Sequence, residues 1–277
     1  MVTFFTIPKP FEGVIGTAQK NSIKSWLTVH PGSEVIVFGN EKGAVETTNE
    51  LGFRHVKEIR RNKFGTPLVS EAFQIARNIA KHDHLVFMNT DIILLNNLLE
   101  AAKLIQYPNY LMVGRRTDLD FKEEIDFTNP SWKEMLIGRA MKEGELHGFS
   151  GIDYFLFSKS LAPEMPPFPV GRPGWDSWFI YYIRSRKIPV IDATEIITAV
   201  HQNHPWTWSP TDPESLKSVE IAGGLTNMST IRDADFVLTS DGLMRPPLIR
   251  RVWSNLSGLY AWRLILALKR RIQRAFA

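Results

Sequence analysis

The sequence predicts an α/β protein built on a mainly parallel sheet flanked by helices. Three observations predict it. Short runs rich in Val, Ile and Phe, such as residues 34–38 and 84–88, read as buried strands. Stretches of helical periodicity separate these runs, the alternation expected of parallel strands joined by crossover helices. Pro, Gly or Asn stands where the runs stop. With 277 residues, 44% of them hydrophobic, the chain can form one large domain with an appendage.

In order, residues 2–7 read as a strand of β-branched and aromatic residues that ends at Pro8. Residues 17–29 read as an amphipathic helix with Ile23, Trp26 and Leu27 on one side. A second strand over 34–38 is stopped by Gly39. A short helix near 43–51 and a third strand at 54–59 follow. Residues 67–82 read as a helix with Pro67 in its first turn. A fourth strand, 85–88, leads into Asn89-Thr90-Asp91. The second half is less regular. It offers strands at 110–114, 154–157 and 189–192, helices at 132–142 and 176–186, and a proline-rich loop at 163–173. Residues 201–215 hold two His, two Trp and three Pro and read as a functional or lid loop. There is no internal repeat and no low-complexity segment.

Composition excludes several chemistries. The chain has no cysteine, so disulfides, thiolate zinc sites and cysteine nucleophiles are ruled out. The first residues lack the basic head and long apolar body of a signal peptide. No uncharged run reaches bilayer-spanning length. The formal charge is +4, yet no acid follows Asp241, while eight Lys and Arg do. The body before that point is therefore net acidic, which argues against a nucleic-acid groove. The chain divides into a body over 1–242 and a basic amphipathic extension over 243–277.

Asn89-Thr90-Asp91 is the most informative motif. A buried strand carries no acid unless something pairs with it. An amide and a carboxylate two residues apart, where a parallel strand runs out, suit a hard divalent cation. Ligands of such sheets sit beyond the carboxyl ends of the strands, so Thr6-Ile7-Pro8 and Phe38-Gly39-Asn40 are candidate nucleotide contacts, or ordinary turns. Lys63, Thr66 and Ser70 surround a helix start whose free N–H groups could receive a phosphate or ribose oxygen. Gly151-Ile152-Asp153-Tyr154 could touch a second substrate or be a turn. No convincing serine–histidine–acid arrangement is present.

Taken together and in order, Thr6-Ile7-Pro8, Gly39-Asn40, Asn89-Thr90-Asp91 and Gly174-Trp175-Asp176 resemble the GT-A-fold glycosyltransferases, in the broad sense of the family-2-like nucleotide-diphospho-sugar transferases. The resemblance covers about residues 1–210 and implies a Rossmann-like GT-A catalytic domain. The family's usual acidic pair begins with aspartate, where this chain has Asn89. The resemblance implies that Asp91 binds Mn²⁺ or Mg²⁺ and that a late histidine, His201 or His204, completes the metal shell. Asn89 and Thr90 would lie against the donor, a nucleotide-diphosphate sugar. Asp176 would be the base that deprotonates the acceptor hydroxyl, giving inversion. Without a base there, retention is open. The residue reading of Asp176 is a helix cap, where the helix dipole keeps a carboxylate pKa low. Trp175 and Trp178 could stack on a sugar or belong to the core.

The expected partners are a nucleotide-sugar donor and a glycan, lipid-linked or other hydroxyl acceptor, with no nucleic acid. Rival readings are a nucleotidyltransferase, disfavoured by a first loop without glycine, and a non-catalytic carbohydrate- or membrane-binding protein. On a helix, Ala261, Leu264, Ile265, Leu268, Ile272 and Phe276 share one face and Arg263, Arg270 and Arg274 another, with Trp253 and Trp262 nearby. Such a tail suits an anionic membrane surface or packs on the protein's own core. The expected location is cytoplasmic, peripheral at the inner membrane face if the tail binds lipid.

Overall fold

The strands expected in the first third form, and the alternation of their side chains gives one sheet two apolar faces. The computed structural model describes residues 1–204, 209 and 211–250. The chain begins with β1 (Thr3–Thr6), α1 (Gly13–Val29), β2 (Glu34–Phe38), α2 (Ala44–Leu51) and β3 (Arg54–Val56). Next come α3 (Val69–Ile79), β4 (His84–Met88), β5 (Ile92–Leu94), α4 (Leu98–Ala102), β6 (Leu111–Arg115) and β7 (Thr117–Leu119). Then follow α5 (Trp132–Glu143), β8 (Glu145–Leu146), β9 (Ile152–Ser158), α6 (Trp175–Ser185), β10 (Val190–Asp192) and β11 (Ala199–Gln202). The last described elements are α7 (Pro213–Ile221), β12 (Phe236–Thr239) and β13 (Gly242–Met244).

The main sheet has the order β13-β12-β10-β6-β9-β4-β1-β2-β3. All neighbours run parallel except β9, against β4 and β6, and β13, against β12. This is the mainly parallel α/β sheet the sequence predicts. Its direction pattern gathers the carboxyl ends of β1, β2, β4, β6 and β10, and the amino end of β9, on one edge. Val2 and Phe4 enter one core with Ile23 and Trp26 of α1. Phe5 and Ile7 enter the other with Phe73 of α3 and Phe179 of α6. Each such side chain, fully buried, contributes about 1.5–3 kcal/mol. Phe73 is the hub of its face, stacking on Phe87 at 5.5 Å and on Phe157 at 5.6 Å between ring centroids.

A second, four-stranded sheet, β5-β11-β7-β8, crosses that edge. Its register sets His201 opposite Ile92 on one side and Asp118 on the other. Helix α5 covers it, with Trp132, Leu136 and Ala140 against Ile93, Leu95 and Val200.

One expectation changes. The loop expected over 201–215 instead begins as the end of β11, and Asp212 caps α7 by accepting the Ser215 N–H at 2.7 Å. Trp206 and Trp208 of that stretch lie outside the described residues. The boundary expected at 242 falls within β13, which pairs back onto β12, and Arg250 forms an ion pair with Asp192 at 2.9 Å. The tail face of Ala261, Leu264 and Arg263, with Trp253 and Trp262, lies outside the described residues. No described helix is long and apolar enough to cross a membrane.

Candidate active site

Asp91 lies where the chain passes from the main sheet into the small one. The Asn89 carbonyl accepts the Ile92 N–H at 3.2 Å, so Asn89-Thr90-Asp91 turns directly into β5. The Asp91 carbonyl accepts the Gln202 N–H at 3.1 Å, which brings the end of β11 alongside. Asp91 Oδ2 is then 3.0 Å from His204 Nε2, 3.6 Å from Lys9 Nζ and 3.8 Å from His201 Nε2. Its Oδ1 is buried and has no hydrogen-bond partner among the described residues. One ligand atom from each of Asp91, His201 and His204 lies within 4.8 Å of the others. Burial alone would push the Asp91 carboxyl up. The His204 hydrogen bond and the charges of His201 and Lys9 outweigh it and hold the group well below the usual carboxylate range.

A ring of partners fixes this cluster. His201 Nδ1 is 3.1 Å from Asp118 Oδ1, which leaves Nε2 turned toward Asp91. A carboxylate behind an imidazole sets its tautomer and orientation. Asp118 Oδ2 meets His147 Nδ1 at 2.5 Å, and Arg116 Nε donates to Asp118 Oδ1 at 2.8 Å. Burial of Asp118 is offset by the hydrogen bonds from His201 and His147 and by the Arg116 charge, so it too stays ionised. The Arg116 guanidinium also donates to Asp153 Oδ2 at 2.8 Å. Asp153 Oδ1 in turn accepts the Asn89 side-chain amide at 2.5 Å. That bond accounts for the amide at position 89. An aspartate there would face Asp153 with no proton to share, at a like-charge cost.

Lys9 is placed by α1. Gln19 accepts the Lys9 N–H at 2.7 Å and donates to the Lys9 carbonyl at 2.9 Å. Gly16 lets the helix come this close, since a Cβ there would lie 2.6 Å from the Phe11 carbonyl carbon.

Asp176 occupies the second position of α6, after the N-cap Gly174, and takes the Ser177 N–H at 2.8 Å. The helix dipole was expected to hold its carboxyl low. Instead burial, aided by the nearby Asp153 charge and only partly countered by the Ser177 N–H, raises it to about 6. Trp175 belongs to the core, at 5% exposure and 4.8 Å from the Phe87 ring centroid. Trp178 is half-buried and stacks on Tyr182.

The expected nucleotide contacts divide. Thr6 is fully buried and donates its hydroxyl to the Met88 carbonyl at 2.7 Å. Ile7 is in the core and Pro8 is buried. The side chains of Thr6, Ile7 and Pro8 are thus used by the fold, and Lys9 is the residue of that strand end that reaches Asp91. Thr90 is also buried, with its hydroxyl on Gln19 Oε1 at 2.7 Å. Asn40 stays exposed at the end of β2. The free N–H groups expected around Thr66 are taken: Asn62 Oδ1 accepts those of Phe64 and Thr66, and the Asn62 carbonyl that of Gly65. Ser70 is buried, its hydroxyl unpartnered among the described residues. Lys63 is exposed and, with Phe64, Leu68, Pro169 and Ile221, lines a cleft of about 410 Å³. None of Asp91, His201 and His204 lines that cleft.

Sequence reasoning missed Lys9, Gln19, Arg116, Asp118 and His147. Asp118 is the middle residue of β7 and Arg116 sits between β6 and β7, a spacing that became meaningful only once β11 was paired beside β7. Asp153 was noticed only as a possible substrate contact.

No family model matches the chain, and none of the curated proteins matches its sequence. Among solved structures the chain is similar to glucosyl-3-phosphoglycerate synthase from Mycobacterium tuberculosis in complex with Mg²⁺ and uridine-diphosphate, at 15% identity and a TM-score of 0.47 over 81% of this chain and 80% of that one. It is also similar to residues 1–349 of TarS from S. aureus in complex with UDP-GlcNAc, at 14% identity and a TM-score of 0.45 over 80% and 64%.

Proposed function

We propose that the protein is a glycosyltransferase that moves a sugar from a nucleotide-diphosphate donor to an acceptor hydroxyl, with a divalent cation held by Asp91, His201 and His204. The observation that carries this reading is the buried, unpartnered Oδ1 of an ionised Asp91 grouped with two imidazole nitrogens. One carboxylate and two imidazoles suit Mn²⁺ better than Mg²⁺, which prefers an all-oxygen shell. When bound, the cation would offset charge on the departing diphosphate as a Lewis acid.

The chain's own groups supply the rest. Asp118 keeps His201 in one tautomer. Arg116 ties Asp118 to Asp153, so the small sheet and the start of β9 hold one geometry. As the acceptor oxygen bonds to the anomeric carbon, the bond from that carbon to the diphosphate oxygen breaks. The electron pair leaves with the diphosphate, and the hydroxyl proton passes to Asp176. A carboxyl with a pKa of about 6 is ionised at neutral pH yet basic enough to take it, and such assistance is worth about 10²–10⁴-fold. Direct displacement with Asp176 as base inverts the anomeric centre. Asn40, Lys63 and Thr66 are the remaining candidates for the nucleoside.

A second reading has its own observation. Lys9 Nζ is 2.9 Å from His204 Nε2 and faces the same Asp91 oxygen. In that reading the ammonium itself neutralises the diphosphate and no cation is needed. A donor-hydrolysis screen across nucleotide sugars, run with Mn²⁺, with Mg²⁺ and with a chelator, tests both. Turnover restored by Mn²⁺ supports the metal reading, chelator-insensitive turnover supports Lys9, and no nucleotide-sugar binding under any condition removes both.

A further inference from the structure

Beside the metal cluster, on the same sheet edge, three arginines meet around one ring. The guanidinium carbons of Arg115, Arg232 and Arg250 lie 4.8, 5.1 and 5.1 Å from the centroid of Phe149. Any two of these charges are therefore within about 10 Å, roughly one Debye length at moderate salt. Like charges so gathered repel, and burial together with the Arg250 charge pushes the Arg115 guanidinium down from its usual value despite Asp192.

The three are not equivalent. Arg250 is committed to the fold: it pairs with Asp192 Oδ2 at 2.9 Å and donates to the carbonyls of Arg232 and Ile231. The other Asp192 oxygen accepts from the Thr194 N–H at 3.0 Å and from its hydroxyl. Arg115 gives Nε to the His147 carbonyl at 2.6 Å and Nη2 to that of Leu146 at 3.4 Å, leaving Nη1. The Arg232 side chain makes no hydrogen bond or ion pair among the described residues. Asp192 thus pairs with Arg250 and only partly offsets Arg115, while Arg232 has no ion pair among the described residues; both Arg115 and Arg232 are half-exposed with donors to spare. Planar guanidiniums with free donors match phosphate or carboxylate oxygens.

His147 joins this cluster to the metal site. Its carbonyl holds Arg115, and its ring holds Asp118, which orients His201. We propose that Arg115 and Arg232, braced by Phe149 and the Arg250–Asp192 pair, form a subsite for the anionic group of the acceptor, a phosphate monoester or a carboxylate carried near the reacting hydroxyl. This deepens the glycosyltransferase reading and rests on it for the word acceptor; the anion site itself does not.

The test uses the full chain and orthophosphate as probe, without metal, followed by calorimetry or ³¹P line broadening. Arg232→Gln and Arg115→Gln should each weaken orthophosphate binding about ten- to hundredfold. Arg232→Gln should do so with unchanged thermal unfolding and unchanged Mn²⁺-dependent nucleotide binding, while Arg115→Gln also loses its bonds to the His147 and Leu146 carbonyls and should lower Tm. Arg232→Lys should recover part of the loss. If wild-type protein binds no orthophosphate at millimolar concentration, or binds it equally well in both variants, the subsite is wrong. Displacement of bound orthophosphate by sn-glycerol 3-phosphate but not by phosphatidate vesicles would place the anion on a soluble acceptor, and the reverse on a lipid; displacement by neither overturns the proposal. Orthophosphate binding lost in the variants, in a protein that fails to bind any nucleotide sugar, would leave the anion site standing and remove the transferase reading.

Discussion

Asp91, in the turn between β4 and β5, and Asp176, in the first turn of α6, are the same residue type, and their surroundings drive them apart. Asp91 is ringed by His204, His201 and Lys9 and stays ionised far below the usual range. Asp176 is crowded by protein and by the Asp153 carboxylate, and rises to about 6. Both are drawn out of bulk water, so the difference lies in what neighbours them. Cationic partners make a carboxylate a ligand. Burial, helped by a nearby carboxylate, gives one the proton affinity that the proposed base needs. The two roles need opposite proton affinities, and Arg116 keeps the halves in register by binding the acid of each neighbourhood, Asp118 and Asp153.

The comparison breaks most visibly at Asp91. Asp91→Asn should remove Mn²⁺-dependent nucleotide binding and lower donor turnover by about 10³-fold or more, the several kcal/mol expected of a lost Lewis-acid site. Calorimetry with UDP and Mn²⁺, alongside far-UV dichroism to confirm folding, checks it. Near wild-type turnover in a folded variant would show that the carboxylate holds no cation.

Asp176→Asn should leave binding of the nucleotide diphosphate intact and slow transfer by about 10²–10⁴-fold. In wild type, kcat/KM should fall as pH drops below about 6, because the base is protonated there. The stability sign is opposite to that of a paired acid. The folded pKa lies above the unfolded one, so ionising Asp176 opposes folding as pH rises between them. Asp176→Asn should therefore raise Tm at neutral pH, and the gain should vanish below the ordinary carboxylate range. A variant that is slower but no more stable would indicate that the carboxyl is solvated and not poised as a base.

How far the sequence reached follows the same division. Strands β1, β2 and β4 were legible because each is a short apolar run with a stop signal, and Asp91 because an acid closing such a run is anomalous. His201 and His204 came only through the resemblance. Asp118 and His147 left no mark: one is an ordinary polar residue on the three-residue β7, the other directly follows the two-residue β8, and their roles depend on β11 lying between β5 and β7. Lys9 reads as a solvated lysine until Gln19, one turn into α1, fixes its backbone. The rise at Asp176 was unreadable because it depends first on tertiary burial of the carboxyl, and then on Asp153, more than twenty positions away in sequence, arriving nearby.

Asp118 sharpens the comparison from behind the ligand. Asp118→Asn should weaken Mn²⁺ affinity about 10–100-fold and raise the Mn²⁺ needed for half-maximal turnover, while saturating Mn²⁺ restores most of the rate. A purely structural role would lower Tm and leave the Mn²⁺ requirement where it was.

The smallest effect is expected at Lys9, and it decides between the two cation readings. Its side chain is 38% exposed, and its Nζ shares Asp91 Oδ2 with two imidazoles. If a metal fills the site, Lys9 must turn outward, and its contribution is that of one partly solvated charge near the diphosphate, about 1 kcal/mol or less. Lys9→Met should then cost a few-fold in donor KM, leave kcat largely unchanged and, by removing a competitor for Asp91, tighten Mn²⁺. If Lys9 is itself the counter-charge, the same substitution should abolish turnover that a chelator leaves untouched. The first outcome tightens Mn²⁺ with turnover kept, and the second removes a turnover that never needed Mn²⁺, so one titration on wild type and Lys9→Met separates an ammonium that guards the site from one that does its electrostatic work.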